Sequence, residues 1–548
     1  MELASAESAF PKLNPEEMDL IRSLGDVREF REGQTVFQAG DADIDFYVVE
    51  SGQVEILNPT AGDQRVTVHE PAEFLGDIDL LTRRPVIVTA VARGPRTVLL
   101  RIEGKELRRL LNTVPRLGEK LIVAFAVRRE LLQRSGVLGL KVIGEAHDHE
   151  TTLLREFLHK NFVPHTYYDS ESEDGRRELT KLKRAEKDTP VVECGGGLVL
   201  NRPALGELAR CAGVRGVAPK DKLFDLAIVG SGPAGMAAAV YAASEALSTV
   251  VIDRLGPGGQ AGGSSMIENF IGFPSGLSGT ELATRGVLQM FKFGAMLLTP
   301  VGAKSVTREG NHLVLSTDDG GDVRARCVLV ATGAKWRTLE ARNARRFERA
   351  GIYYAATTVE ARVCAGQEVA VVGAGNSGGQ AAMFLSECSP RVHLFVRGTD
   401  ISKGMSEYLV NRIRQNERIR VHAETEVEEV VGDSHGRITA ADVLHKATGV
   451  RERINLSALF VFIGAEPFAA WLPEEVARDE HGYVLTGADA KASGKWKFDR
   501  EPCTLETTMP GVLAAGDVRS GSTKRVGFAV GDGSMAVTCV HRLRGLQA

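Results

Sequence analysis

Hydrophobic and polar positions alternate in short runs over the first hundred residues. The runs are Thr35-Val36-Phe37, Asp45 to Val49, Gln53 to Leu57, Pro85 to Val91 and Thr97 to Ile102, and each reads as a short, partly buried strand. Breakers separate them, among them Gln38-Ala39-Gly40-Asp41 and Glu50-Ser51-Gly52-Gln53. The spacing predicts an antiparallel barrel or jelly roll from Val27 to Ile102, then an amphipathic helix over 113–133. A second unit opens at Lys141-Val142-Ile143-Gly144 with a strand, a helix over 151–161, a strand from His165 to Tyr168 and a charged segment over 171–188. Thr189 to Val192 and Gly197 to Leu200 close it as a hairpin. From Lys222 onward strands and helices alternate, the mark of doubly wound α/β structure. The expected fold class is multidomain α/β, with boundaries at 1–136, 137–220, 221–340, 341–463 and 464–548.

Composition narrows the function classes. The 548 residues are 43% hydrophobic and 25% charged, values of ordinary globular chains that argue against wholesale disorder. A net charge of −4 gives no electrostatic case for nucleic-acid binding. No apolar run approaches membrane-spanning length, and residues 1–10 lack the basic-then-apolar order of a secretion signal, so a cytoplasmic protein with no membrane partner is expected. Cysteines stand at 194, 211, 327, 364, 388, 503 and 539, too few and too scattered for a disulfide framework, and no two have C-x-x-C spacing.

The chemistry sits in two glycine loops. Leu226 to Val229 is an apolar strand feeding Gly230-Ser231-Gly232-Pro233-Ala234-Gly235, which opens an Ala-rich helix over 236–247. In such a loop the first glycine makes the tight turn and the second lets backbone approach a pyrophosphate. The third lets helix and strand pack closely, and the helix N-terminus faces the phosphates. The next strand, Thr249 to Ile252, ends in Asp253, placed to accept hydrogen bonds from ribose hydroxyls. A second loop, Gly373-Ala374-Gly375-Asn376-Ser377-Gly378, follows Glu368 to Val372, with a helix expected over 379–387. Its next strand, Arg391 to Val396, ends in Arg397 rather than an acid. A guanidinium pairs with a 2′-phosphate where a carboxylate would repel it, so NADPH is favoured over NADH.

Two such sites imply a flavin and a nicotinamide that reduces it. Val512 to Gly516 reads as a strand ending in Gly516-Asp517, followed by Lys524-Arg525-Val526 and a helix start at Gly531-Asp532-Gly533. An Asp at such a strand end binds the ribitol of FAD. Ala331-Thr332-Gly333 marks where the chain leaves the first module.

Across 222–548 these residues resemble the thioredoxin reductase-like flavoproteins. The resemblance rests on Gly230–Gly235, Gly258-Gly259-Gln260, Ile267 to Gly272, Ala331–Gly333, Gly373–Gly378 and Gly516-Asp517. It implies that Gly230, Gly232, Pro233, Ala234, Gly235, Asp253, Gly259, Gln260, Asn269, Thr332, Gly333, Gly516, Asp517, Lys524, Arg525 and Val526 hold FAD. Likewise Gly373, Gly375, Asn376, Ser377, Gly378 and Arg397 hold NADPH, with a swivelling nicotinamide domain in a homodimer. One departure stands out. The family's C-x-x-C falls here on Ala356 and Val359, which form neither thiolate nor disulfide, and Cys364 lies five residues beyond. No catalytic side chain and no metal site are expected.

Residues 10–134 resemble a cyclic-nucleotide-binding domain, through Phe30 to Phe37, Phe46 to Val54 and Phe74-Leu75-Gly76-Asp77 onward. The arginine expected after Pro85 is Val86, which removes a charge-assisted bond worth ~1.5–3 kcal/mol, so a cyclic-nucleotide ligand is disfavoured. Residues 139–213 resemble a thioredoxin or glutaredoxin fold, with Thr189-Pro190 as its cis-proline loop and Glu145-Ala146-His147-Asp148-His149, without cysteine, at its active-site corner. That module is expected to be a non-redox adaptor.

The leading expectation is an NADPH-dependent FAD oxidoreductase passing electrons from flavin directly to an acceptor the sequence does not name. Two alternatives stand beside it: a nucleotide-sensing regulatory protein on a flavoprotein scaffold, and a ferredoxin or flavodoxin–NADP reductase.

Overall fold

A computed structural model describes residues 6–59, 63–82, 84–135, 139–145, 148–194, 197–214, 216, 218–219, 221–264, 267, 270–348, 351–354, 356, 366–433 and 436–547. Strands Asp26–Phe30, Thr35–Phe37, Phe46–Asn58, Gln64–His69 and Thr89–Ile102 form one antiparallel sheet. Two breakers foreseen as strand ends are absorbed instead. Register shifts around Ser51 and Gln53, with Gly52 at φ 81°, keep Phe46–Asn58 continuous, and Thr89–Ile102 likewise runs through 92–96. The helical tail is longer than expected: Gly104–Thr113 precedes Pro115–Ser135, and Pro115 starts the second helix where its missing N–H costs nothing. Phe125 on that second helix packs edge-on against Phe46 and Phe74, at ring-centre distances of 6.3 and 6.0 Å, and pins the helix to the roll.

The second unit orders its strands His165–Asp169, Leu140–Gly144, Val191–Glu193 and Val199–Asn201, parallel in the first pair and antiparallel in the others. The Thr189–Pro190 peptide is cis. Cys194 and Cys211 form a disulfide here, away from the 145–149 corner, a pairing that the scattered cysteine spacing does not suggest. Their 17-residue separation carries no local motif, and only the packing of Cys194 and Cys211 into one core beside Leu154 and Leu208 brings the sulfurs together. Ala146 and His147 lie outside the described residues.

The third unit sets Leu223–Val229 at the switch point of a seven-stranded sheet. Thr249–Ile252 lies on one side of it and Asp322–Val330 on the other, all parallel. Val512–Ala514 returns to pair with Asp322–Val330 after the intervening residues 331–511. Those residues hold an all-parallel sheet ordered Ile352–Tyr353, Ala458–Val461, Val369–Val372, Val392–Phe395 and Ile419–His422. The chain crosses between the two sheets through one antiparallel pair, Ala334–Trp336 with Ala465–Pro467. A single buried cluster continues from Phe46 in the roll, through Leu107 and Leu111 on helix Gly104–Thr113, to Met236, Val287 and Phe291 beneath the first glycine loop. No described helix is long and apolar enough to cross a membrane.

Candidate functional site

The first glycine loop is built by backbone crowding. A Cβ on Gly230 would stand 2.4 Å from Ala331 O, and one on Gly235 would stand 1.8 Å from Gly230 O. Gly232 differs, since a Cβ there meets only Gly259 Cα at 3.7 Å. Two glycines therefore close the turn while the second presents bare backbone at the start of helix Pro233–Ser244. Pro233 and Ala234 are its first two residues, and Gly259, at φ 55°, crosses directly over Gly232. This open, N–H-rich helix start fits the pyrophosphate of a dinucleotide.

Asp253 departs from expectation. One carboxylate oxygen accepts from Ser231 N and Ser231 Oγ, both at 2.8 Å, and the other accepts from Leu255 N at 2.9 Å and Gly256 N at 2.8 Å. With four protein donors on two oxygens, no acceptor position is left for a ribose hydroxyl. Asp253 instead clamps the glycine loop to the 254–256 turn, a role that strand–acid spacing alone does not reveal.

Other expected FAD residues gather around these loops. Gln260 Nε2 donates to Ala334 O, and Thr332 Oγ1 donates to Phe468 O at 2.7 Å. Gly333 takes φ 67° just before the crossing strand. Gly516 N donates to Asp532 at 3.0 Å, and burial raises the Asp517 carboxyl above its usual range. Lys524 Nζ reaches Tyr483 Oη at 2.5 Å. The helix start expected at Gly531 lies instead at Val526, directly after Arg525, so Asp532 sits in the second turn and grips Arg519 at 3.1 Å. Asn269 lies outside the described residues.

The second loop repeats the logic. A Cβ on Gly373 would meet Phe462 O at 2.2 Å and one on Gly378 would meet Gly373 O at 2.7 Å, whereas Gly375 faces open space. The helix begins at Asn376, earlier than expected, so Asn376 and Ser377 form its first turn. Asn376 Oδ1 accepts from Ser406 N at 2.8 Å, and Gly404 packs on Ala374 O. This 404–406 clamp escapes sequence reading because its partner is 30 residues away. Arg397 stands exposed at the end of Val392–Phe395, without an ion pair among the described residues.

Two of the free cysteines among the described residues are held as thiols. Burial pushes Cys327 and Cys503 up to about 12, so neither is a thiolate at neutral pH. Ala356 is described and half-buried, while Val359 and Cys364 lie outside the described residues.

The sequence profile of the pyridine nucleotide-disulphide oxidoreductase family matches residues 224–533, more than half of the chain. The chain belongs to that family. The profile of the cyclic nucleotide-binding domain matches residues 27–114. A thioredoxin reductase of Listeria monocytogenes is 29% identical over 325 residues, 58% of this chain and 93% of the relative. An NADPH-dependent thioredoxin reductase 3 of Arabidopsis thaliana is 32% identical over 325 residues, 58% of each chain. Among solved structures, the Lactococcus lactis thioredoxin reductase aligns with a TM-score of 0.48 and 26% identity, over 58% of this chain and 98% of that one. The chain is thus a thioredoxin reductase-like pyridine nucleotide-disulfide oxidoreductase carrying an N-terminal cyclic nucleotide-binding domain.

Proposed function

We propose that this oxidoreductase holds FAD at the Gly230 loop and NADPH at the Gly373 loop, and delivers electrons from the flavin to an acceptor without a dithiol relay. The observation that carries the reading is the paired loop geometry. In each, first and third glycines are locked by backbone contacts while the second lies open at a helix N-terminus. When bound, the two cofactors supply hydride transfer and onward electron release. The protein's part is positional. Ser231 and Asp253 stiffen the first loop, Ser406 holds Asn376 at the second, and exposed Arg397 offers a guanidinium to a 2′-phosphate.

The missing relay rests on the sequence, in which no two cysteines have C-x-x-C spacing and the matching positions are Ala356 and Val359. The acceptor then meets the flavin itself. Exposed Tyr241, Phe528 and Met535, on two helices packed together, support a homodimer.

Anaerobic mixing of the purified yellow protein with NADPH tests this. Flavin absorbance should bleach, then return on adding a quinone or oxygen but not on adding oxidised thioredoxin. An oxidised spectrum that persists with NADPH overturns the reading; thioredoxin-dependent reoxidation overturns the dithiol-free route.

A further inference from the structure

A cavity of about 590 Å³ lies between the N-terminal roll and helix Pro115–Ser135, well apart from both glycine loops. Its size falls in the range of small-molecule sites, about 300–1,000 Å³. The walls are mostly aliphatic and aromatic, from Phe37, Ile44, Ile56, Val66, Leu80 and Leu131. Two arginines line it, Arg65 exposed at the surface and Arg128 buried within. Arg128 is 6% exposed, with its guanidinium over the rings of Phe74 and Phe10 at 4.5 and 5.2 Å. Its Nε donates to Ala9 O at 2.7 Å, and its Nη1 donates to Phe74 O at 2.9 Å and Gly76 O at 2.7 Å. Its Nη2 is buried and has no hydrogen-bond partner.

The nearby carboxylates are already engaged. Asp77 accepts from Asp79 N at 2.9 Å and pairs with Arg129 at 2.7 Å; Asp79 pairs with the same arginine. Glu73 is held by His69 Nδ1 at 3.3 Å and Glu70 N at 3.2 Å. Asp77 and Glu73 act on Arg128 only through space, and no carboxylate among the described residues is hydrogen-bonded to its guanidinium, so an anion at Nη2 would relieve a costly buried charge.

The same geometry disfavours a cyclic nucleotide. Asp77, the acid at the ribose position, is already held by Asp79 N and by an ion pair with Arg129. Val86, in the position of the phosphate arginine, is 6% exposed in the roll core, and its N–H donates to Asp41 O at 2.9 Å. Leu131 and Leu132 offer a base edge no hydrogen bonds.

We propose that this cavity binds an amphiphilic monoanion, a chain carboxylate whose head pairs with Arg128 Nη2 and whose apolar body fills the roll. Calorimetric titration of the full-length, FAD-loaded protein with dodecanoate, dodecanol and cAMP tests it. Dodecanoate should bind one per chain, at least tenfold tighter than dodecanol, and cAMP should give no saturable heat. In Arg128→Met the acid and the alcohol should bind within twofold of each other. Val88→Trp, which fills the cavity from a lining position, should weaken dodecanoate at least twentyfold while flavin absorbance is kept. Equal binding of acid and alcohol by the unmodified chain overturns the proposal, a comparison that needs no variant to fold. So does absence of dodecanoate binding, unchanged binding in Val88→Trp, or cAMP binding tighter than the acid.

Discussion

Asn161 Nδ2 donates to Leu255 O at 2.8 Å and ties the middle module to the turn that Asp253 clamps behind the first glycine loop. Asn161 is fully buried, and its own carbonyl accepts from Arg84 Nη1 of the roll at 2.5 Å. Three modules thus meet at one residue, the roll through its backbone and the glycine-loop turn through its side chain. Asn161→Ala removes a buried bond worth about 1 kcal/mol and leaves Leu255 O unpaired. It should weaken FAD binding to apoprotein about fivefold, read by flavin fluorescence quenching, with catalytic bleaching at saturating FAD retained.

The two glycines of the first loop separate folding from binding. Gly232→Ala adds a Cβ whose nearest neighbour is 3.7 Å away, so the chain should fold with an unchanged melting temperature yet purify colourless. Gly235→Ala drives a Cβ to 1.8 Å from Gly230 O and should lower the melting temperature as well. If Gly232→Ala bound FAD normally, the open face would not be the pyrophosphate face.

Exposed Arg397 has one expected job. Arg397→Ala should raise the KM for NADPH roughly ten- to hundredfold, the loss of one charge-assisted contact, and leave the KM for NADH within twofold. Steady-state kinetics with both nucleotides checks the split.

A pH effect follows from the second Rossmann sheet. His393 Nδ1 lies 3.0 Å from His422 Nε2, and His393 Nε2 lies 3.1 Å from Glu368. Burial, then the neighbouring His393, lowers His422 to about 4. The native state keeps this ring neutral while the unfolded chain, near 6.5, takes up a proton. Stability is therefore complete above pH 6.5 and falls as pH drops towards 4, by about 1–2 kcal/mol for a part-exposed ring. His422→Gln should flatten the slope of melting temperature between pH 7 and 4.5.

The Cys194–Cys211 bridge is countable. Among the described residues Cys194 and Cys211 are bridged while Cys327, Cys388, Cys503 and Cys539 are free, so reduction of the denatured protein should raise its titratable thiols by two. Cys194→Ala should cost about 3 kcal/mol in chemical unfolding, the expectation for a loop of this length.

The sequence by itself determined both glycine loops and the strands and helices around them, because turn sterics and the apolar periods of strand and helix are local properties. Val86 in place of an arginine, and the lack of any C-x-x-C, were equally legible, since a missing charge or thiol needs no geometry. The tertiary structure decided what depends on distant neighbours. It turned Asp253 from a ribose acceptor into a loop clamp, moved the last helix start from Gly531 to Val526, and joined Cys194 to Cys211. It also left Arg128 buried over a cavity with one nitrogen unpaired. Hydrogen-bond saturation, burial and sulfur proximity are set by residues tens to hundreds of positions apart, and no window along the chain contains both partners.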